Sequence, residues 1–180
     1  VNFISTQNPT SSFGLQWNTF SKTQLDSHNG DRRSRDRFLL ETNWHPEQIK
    51  SKLVLDAGCG SGRFSEIALT MGADLVLVDA SSAIYAAKEN LGESNATFVL
   101  ANLASLPFED ATFDFVYCIG VLQHTGKAQE VVKELCRVLK PNGQIALTFY
   151  ERSAWWTLFY SKYLIRPLTL SLIHISEPTR

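Results

Sequence analysis

The chain has 180 residues, 44% of them apolar and 19% charged, which suits one soluble globular domain with a buried core. Its 17 basic and 18 acidic side chains leave a net charge of −1, which excludes a global field drawing it onto nucleic acid or an anionic membrane. Three cysteines, Cys59, Cys118 and Cys136, have no CxxC or Cys/His spacing. This argues against a disulfide framework or a metal site and points to a reducing, cytoplasmic location.

Residues 1–12 are polar, form no signal peptide and read as an extended or frayed lead. Residues 13–50 carry Phe13, Trp17, Phe20, Leu25, Phe38, Leu39 and Trp44 between polar runs, which predicts short helices over about 16–25 and 33–43. His45-Pro46-Glu47 predicts a further turn with proline in its first helical position. From Lys52 the rhythm changes. Leu53-Val54-Leu55 is a buried strand running into Asp56 and a glycine cluster. Phe64, Ile67, Ala68 and Met71 then mark one face of a helix, which Gly72 closes.

Leu75 to Val78 is a second strand, ended by Asp79. Ser81 or Ser82 caps a helix over 83–91, closed by Gly92. Thr97 to Leu100 is a third strand, 101–112 a loop, and Phe113 to Ile119 a fourth strand. Ala128, Val131, Val132, Leu135 and Leu139 mark a helix over 127–139. Pro141-Asn142-Gly143 is a turn, and Gln144 to Phe149 a fifth strand. This alternation predicts an α/β fold: a doubly wound, mostly parallel sheet with ligands at the carboxyl ends of its strands. Residues 153–175 are interrupted by Lys162, Arg166 and Pro167 and are not a clean membrane span.

The informative stretch is Val54-Leu55-Asp56-Ala57-Gly58-Cys59-Gly60-Ser61-Gly62. Glycines let the backbone turn sharply and approach a ligand, and the following helix aims its free N–H groups at the same place. Asp79, ending the next strand, supplies a carboxylate that can accept from both hydroxyls of a ribose. A dinucleotide loop reads GxGxxG, whereas here the third glycine arrives one place early and Arg63 follows it. That spacing suits a nucleoside without a pyrophosphate.

VLDAGCGSG, LVLVDAS, LASLPFED, FDFVYCIGVLQHT and ELCRVLKPNGQIALTFY, in this order over about residues 52–150, resemble the class I S-adenosylmethionine-dependent methyltransferases of the small-molecule (type 11-like) kind. The lead SFGLQWNTFSKTQLDS is similar to a segment that precedes this domain in some bacterial members. The resemblance implies a Rossmann-like core over 51–150, a helical lead or lid over 1–50, and an incomplete C-terminal segment over 151–180. It implies S-adenosylmethionine as cofactor, S-adenosylhomocysteine as product, and a small-molecule methyl acceptor as partner. Asp56 and the backbone of Gly58, Cys59 and Gly60 would hold the methionine portion, with Gly62 closing the loop. Asp79 would take the ribose, with Ala80 beside it. Asn102 and Leu103 would flank the adenine, Asn102 standing where many relatives have aspartate. Ile119 and Gly120 would line the cofactor near its sulfur.

A complete fold of this type has two more strands after the fifth, so the resemblance implies truncation and an open sheet edge. The final SLIHISEPTR resembles a translated sequencing-adapter scar of the kind found in metagenomic reading frames. Near-zero charge and the absence of an NPPY- or DPPY-type loop after the fourth strand stand against a nucleic-acid substrate. A catalytically silent nucleoside-binding domain is the alternative from another class.

His124, following the fourth strand, is a candidate general base, because imidazole exchanges protons near neutral pH. The competing reading is a histidine that caps its loop. Gln123 reads as bonding its own loop, Cys59 as a small filler, and Cys118 and Cys136 as core. The run Asp31 to Arg37 reads as a solvated helix face. Trp17, Phe20 and Trp44 serve either as a lid or as packing of the lead helices. Trp155, Trp156, Phe159 and Tyr160 either line an apolar pocket or belong to a core.

Overall fold

A computed structural model describes residues 3–5, 22–92 and 94–149. In chain order these form β1 (Phe3–Ser5), α1 (Asp26–Asn29), α2 (Arg33–Thr42), α3 (Pro46–Ile49), β2 (Leu53–Ala57), α4 (Arg63–Thr70) and β3 (Asp74–Asp79). There follow α5 (Ala83–Leu91), β4 (Thr97–Leu100), β5 (Phe113–Cys118), a 3-10 turn (Leu122–His124), α6 (Ala128–Val138) and β6 (Leu139–Leu147). The strands make one sheet in the order β1-β4-β3-β2-β5-β6, every neighbouring pair parallel. The order reverses at β2, so the carboxyl ends of β2 and β5 flank the switch point where such sheets bind ligands, with β3 next to β2.

Alternation along each strand assigns side chains to two cores. Val54, Leu75, Leu77, Phe98, Phe115 and Tyr117 face one side, where Phe38, Trp44, Ile49, Ile67 and Ile84 cover them. Leu55, Val76, Val78, Val99, Val116 and Cys118 face the other, under Val131, Leu135 and Val138 of α6. Asp56 and Asp79 share the parity of Val54 and Leu77. The fold therefore delivers both carboxylates to the side of the sheet that α4 and α5 cover.

Several expectations need correction. Residues 22–24 are a turn and Leu25 is extended, not the end of a helix; the helix begins at Asp26 and stops at left-handed Gly30. Residues 16–21 of that expected helix lie outside the described residues. Asp26 supplies what the local pattern concealed: its carboxylate accepts the N–H groups of Ser34 and Arg35, both at 2.9 Å, capping α2 from outside that helix. Within the lead, Phe3–Ser5 is a parallel edge strand on β4. The last strand begins at Leu139, not Gln144, and folds the predicted turn out as a bulge. Leu139 pairs with Phe113, and pairing resumes with Gln144 on Phe115. Asn142 takes φ +65° there, and a Cβ on Gly143 would stand 2.8 Å from the Asp114 carbonyl oxygen.

Cys136 is exposed, because the buried stripe of α6 is Val131, Leu135 and Val138 and position 136 turns away from it. Trp44 is core: its ring meets Phe115 edge-on at 4.9 Å. A lid role is excluded for Trp44, while Trp17 and Phe20 lie outside the described residues, as do Trp155, Trp156, Phe159, Tyr160 and the final SLIHISEPTR. Pro46 opens α3, as the sequence suggests, and the Gln48 side chain accepts the His45 N–H at 2.8 Å. Arg37 pairs with Glu41 at 2.6 Å, both half-buried, with the Arg37 guanidinium over the Phe64 ring of α4, so this end of the Asp31 to Arg37 run is not a solvated face. No helix among the described residues is long and apolar enough to cross a membrane.

Candidate functional site

The loop after β2 is built from three left-handed glycines, Gly58, Gly60 and Gly62, with φ of +88°, +54° and +91°. Two of them serve packing. A Cβ on Gly58 would lie 2.6 Å from both methyl carbons of Val121, the residue that follows β5 and Gly120. The absent side chain at Gly58 is thus filled by the protein rather than by a ligand. Gly62 starts α4, and a Cβ there would sit 3.3 Å from Leu91 of α5. Gly58→Ala adds a clash to a disfavoured φ and should cost about 2–4 kcal/mol in urea unfolding. Val121→Ala in the same chain should recover the clash and not the backbone strain.

The amides of the loop turn toward β3. Gly58 and Cys59 both donate to the Val78 carbonyl, at 2.7 and 3.1 Å, and Gly60 donates to Asp79 Oδ2 at 2.9 Å. Asp79 Oδ1 meanwhile accepts the N–H and the hydroxyl of Ser81, at 2.8 and 2.6 Å. The Ser81 hydroxyl also accepts the Ala83 N–H at 3.2 Å at the start of α5, so Ser81 is the capping serine. The glycine loop, the end of β3 and the start of α5 are tied together through one carboxylate. Ala80 lies between the two residues of that knot.

These commitments change the reading of the loop. The amides of Gly58 and Cys59 are engaged with Val78 and are not presented to a ligand. They leave no row of donors for a pyrophosphate, which argues further against a dinucleotide. Asp79 retains acceptor capacity, since a carboxylate offers about four lone-pair directions and three are used. The Ser61 hydroxyl, buried in the same loop, has no hydrogen-bond partner. A carboxylate with an acceptor direction left and an unpaired buried hydroxyl in the adjoining loop fit a nucleoside carrying a short polar chain.

Asp56 lies beneath the loop rather than at its surface, 3% exposed. Its Oδ2 accepts from the Ser65 hydroxyl of α4 at 2.5 Å and from the Tyr117 hydroxyl of β5 at 2.8 Å. Burial, reinforced by the Asp79 charge, pushes its carboxyl up to about 7, while the two hydroxyl bonds pull the other way. The same burial and the Asp56 charge push the Tyr117 phenol well above its ordinary value. Cys59 is buried, and burial beside Asp79 and Asp56 raises its thiol, which fits filler and not nucleophile.

Asn102 is exposed, and its Oδ1 accepts the Ala104 N–H at 2.9 Å. The amide oxygen expected at the adenine thus already shapes its own turn, with one lone pair left over. Leu103 and Ile119 are buried and pack in opposite cores. Gly120 donates to Thr148 Oγ1 at 2.9 Å, joining the ends of β5 and β6. Gln123 Nε2 donates to the Gly120 carbonyl at 2.8 Å, the local role read from sequence. His124 is exposed on the 3-10 turn, its N–H on the Val121 carbonyl at 2.9 Å. An apolar hollow of about 540 Å³ is lined by Leu122, Gln123, Val132, Lys133 and Phe149 among others; neither the glycine loop nor Asp79 borders it.

Sequence reasoning missed Ser65, Tyr117, Ser81 and Val121. Ser81 was visible as a cap; its bond to Asp79 was not. The other three meet their partners across helix, sheet or loop contacts that no local pattern encodes.

Residues 55–147 match the model of a methyltransferase domain, over half of the chain. The chain belongs to this methyltransferase family. As in the family, the methyl donor implied is S-adenosylmethionine. The ubiquinone biosynthesis O-methyltransferase of Schizosaccharomyces pombe is 30% identical over 151 residues, covering 76% of this chain and 54% of that protein. The biotin biosynthesis bifunctional protein BioHC of Cellvibrio japonicus is 29% identical over 119 residues, 66% of this chain and 23% of that protein. The chain thus spans about half or less of these two curated relatives. Among solved structures, the PH0226 protein of Pyrococcus horikoshii superposes with a TM-score of 0.63 at 32% identity, covering 88% of this chain and 68% of that one. The methyltransferase fold, a Rossmann-like parallel sheet flanked by helices, is therefore common to both.

Proposed function

We propose that this methyltransferase transfers a methyl group from S-adenosylmethionine to a small-molecule acceptor by in-line displacement. The observation that carries the reading is the 2.9 Å bond from the Gly60 amide to Asp79, which brings the glycine loop and the sugar-binding carboxylate to one point. The cofactor, when bound, supplies a methyl group already activated on a sulfonium. What the chain supplies is placement. Asp79 takes the ribose hydroxyls. The loop from Gly58 to Gly62, supported from below by Asp56, receives the amino-acid end. Asn102 and Leu103 flank the base, and Ile119 and Gly120 border the sulfur side. Holding donor and acceptor in line and excluding water accounts for the rate, because alignment replaces an encounter between separate molecules.

His124 follows β5 on an exposed turn and takes the acceptor's proton where the acceptor is a hydroxyl or an acidic carbon. An acceptor that is already nucleophilic needs no such base. The two relatives named for ubiquinone and biotin biosynthesis act in small-molecule pathways by their names, which supports the acceptor class.

A thermal-shift series with S-adenosylhomocysteine and NAD tests the proposal. S-adenosylhomocysteine should raise the melting temperature in proportion to the logarithm of its concentration above Kd, and NAD should not. A shift with NAD alone would overturn the cofactor assignment. Tight S-adenosylmethionine binding without methylated product across a panel of phenols, carboxylates and amines would favour the silent-domain alternative.

A further inference from the structure

We infer that Tyr117 is a positioning residue of the cofactor site: its hydroxyl, together with that of Ser65, holds the Asp56 carboxylate beneath the glycine loop, and helix α2 holds Tyr117 in place. The inference rests on the proposed cofactor reading and deepens it.

Tyr117 lies on β5 directly beside Asp56 of β2 in the parallel register. Strand parity sends both side chains to the same face. The phenol is fully buried, so its hydroxyl needs a partner, and the structure gives it Asp56 Oδ2 at 2.8 Å. Ser65, the third residue of α4, donates to the same oxygen at 2.5 Å. Two hydroxyl donors on one oxygen fix the rotation of the carboxyl group. That group sits two residues before Gly58, so its orientation sets where the loop begins.

The other side of Tyr117 is closed by the lead. Phe38 of α2 meets its ring edge-on, centroids 5.2 Å apart, and Trp44 approaches at 6.2 Å. Helix α2 is in turn fastened to α4, where the Arg63 Nε donates to the Ser34 hydroxyl at 2.9 Å. A continuous packed path thus runs from the lead helix through Phe38 and Tyr117 to Asp56 and the loop. The lead contributes to the site from the same side of the sheet as Asp56 and α4, by packing on Tyr117.

The charged and titratable groups facing Asp56 are Tyr117 from β5, Asp79 from β3 and Cys59 from the loop; Ser65 from α4 adds a neutral hydroxyl. No cation stands among the groups that act on Asp56, so the two hydroxyls are what favours its ionised form. An ionised Asp56 attracts the ammonium of the cofactor's amino-acid end; a protonated one does not. Tyr117 therefore governs the pH range over which the cofactor binds.

The test is calorimetric affinity for S-adenosylhomocysteine from pH 6 to 9 in the wild-type chain, Tyr117→Phe and Ser65→Ala. The wild type should bind more weakly below about pH 7. Tyr117→Phe should bind roughly tenfold more weakly at pH 7, from loss of one hydrogen bond to a charged group. Its pH midpoint should move upward, and the deficit should shrink by pH 9. Ser65→Ala should move the midpoint the same way and carries the test should the phenylalanine variant fail to fold. A Tyr117→Phe profile superimposed on the wild type, or a loss equal at every pH, would reduce Tyr117 to packing and overturn the inference. A wild type that binds no S-adenosylhomocysteine at any pH instead overturns the cofactor reading on which it rests.

Discussion

Asp79→Ala weakens S-adenosylhomocysteine binding by at least a hundredfold in a calorimetric titration. Two losses combine. The variant removes the acceptor for both ribose hydroxyls, and hydrogen bonds to a charged group are worth roughly 1.5–3 kcal/mol each. It also leaves the Gly60 amide and both Ser81 donors without the carboxylate that ties loop, strand and helix together. Stability should fall with affinity, by about 2 kcal/mol in urea unfolding, since exposed donors recover water. Asp79→Asn keeps one oxygen and two acceptor directions, so it should lose roughly tenfold and remain close to wild-type stability. Unchanged affinity in the alanine variant would remove Asp79 from the site.

Asp56→Asn makes the protein more heat-stable at pH 8 while weakening its cofactor binding. Burial raises the Asp56 carboxyl from 3.8 to about 7 in the folded chain. Between those values the folded state holds a proton that the unfolded state has released, so stability falls as pH rises across this window. Above pH 7 the fold carries a buried carboxylate at a cost of about 4 kcal/mol relative to its protonated form. Asparagine is neutral at every pH and presents an oxygen to Ser65 and Tyr117. Its amino group still requires a partner, which limits the gain to about 2 kcal/mol, or roughly 5 °C in melting temperature. The advantage should disappear near pH 4, where Asp56 is protonated in the folded wild type. Binding should meanwhile fall about tenfold at pH 8, because the charge beneath the loop is gone. A variant that melts at the wild-type temperature at pH 8 would show that Asp56 is not buried as an ion there.

The combination describes a site that trades stability for function, in which a carboxylate is retained where a neutral group would fold better. It also explains why the sequence disclosed one half of the site more readily than the other. Strands β2, β3 and β5 were legible because apolar runs leading into Asp56, Asp79 or Gly120 carry their own punctuation. The glycine loop and Asp79 were legible because their roles depend on order along the chain. Tyr117 was not, since nothing in Phe-Asp-Phe-Val-Tyr-Cys states which strand lies beside it; the register of β5 on β2 does.

Gly58 was legible as a turn glycine, but its packing against Val121 was not, because Val121 arrives from the loop after β5. The helix expected over about 33–43 stands at Arg33–Thr42, but the Asp26 cap that starts it from across a turn was not legible, and the helix expected to end at residue 25 instead begins at Asp26. The edge strand Phe3–Ser5 is three residues long and takes its identity from β4 rather than from its own composition. In each case the missing information is a long-range partner, not a weak propensity.

A crystal structure of the chain with S-adenosylhomocysteine is the most direct measurement of whether loop and carboxylate serve one ligand. It should show Asp79 within about 2.6–3.0 Å of both ribose hydroxyls, one on its remaining acceptor direction and the other in place of the Gly60 amide or a Ser81 donor, and the amino-acid end resting on the turn from Gly58 to Gly62. A nucleoside seated elsewhere, with Asp79 still closed on Gly60 and Ser81 alone, would contradict the account.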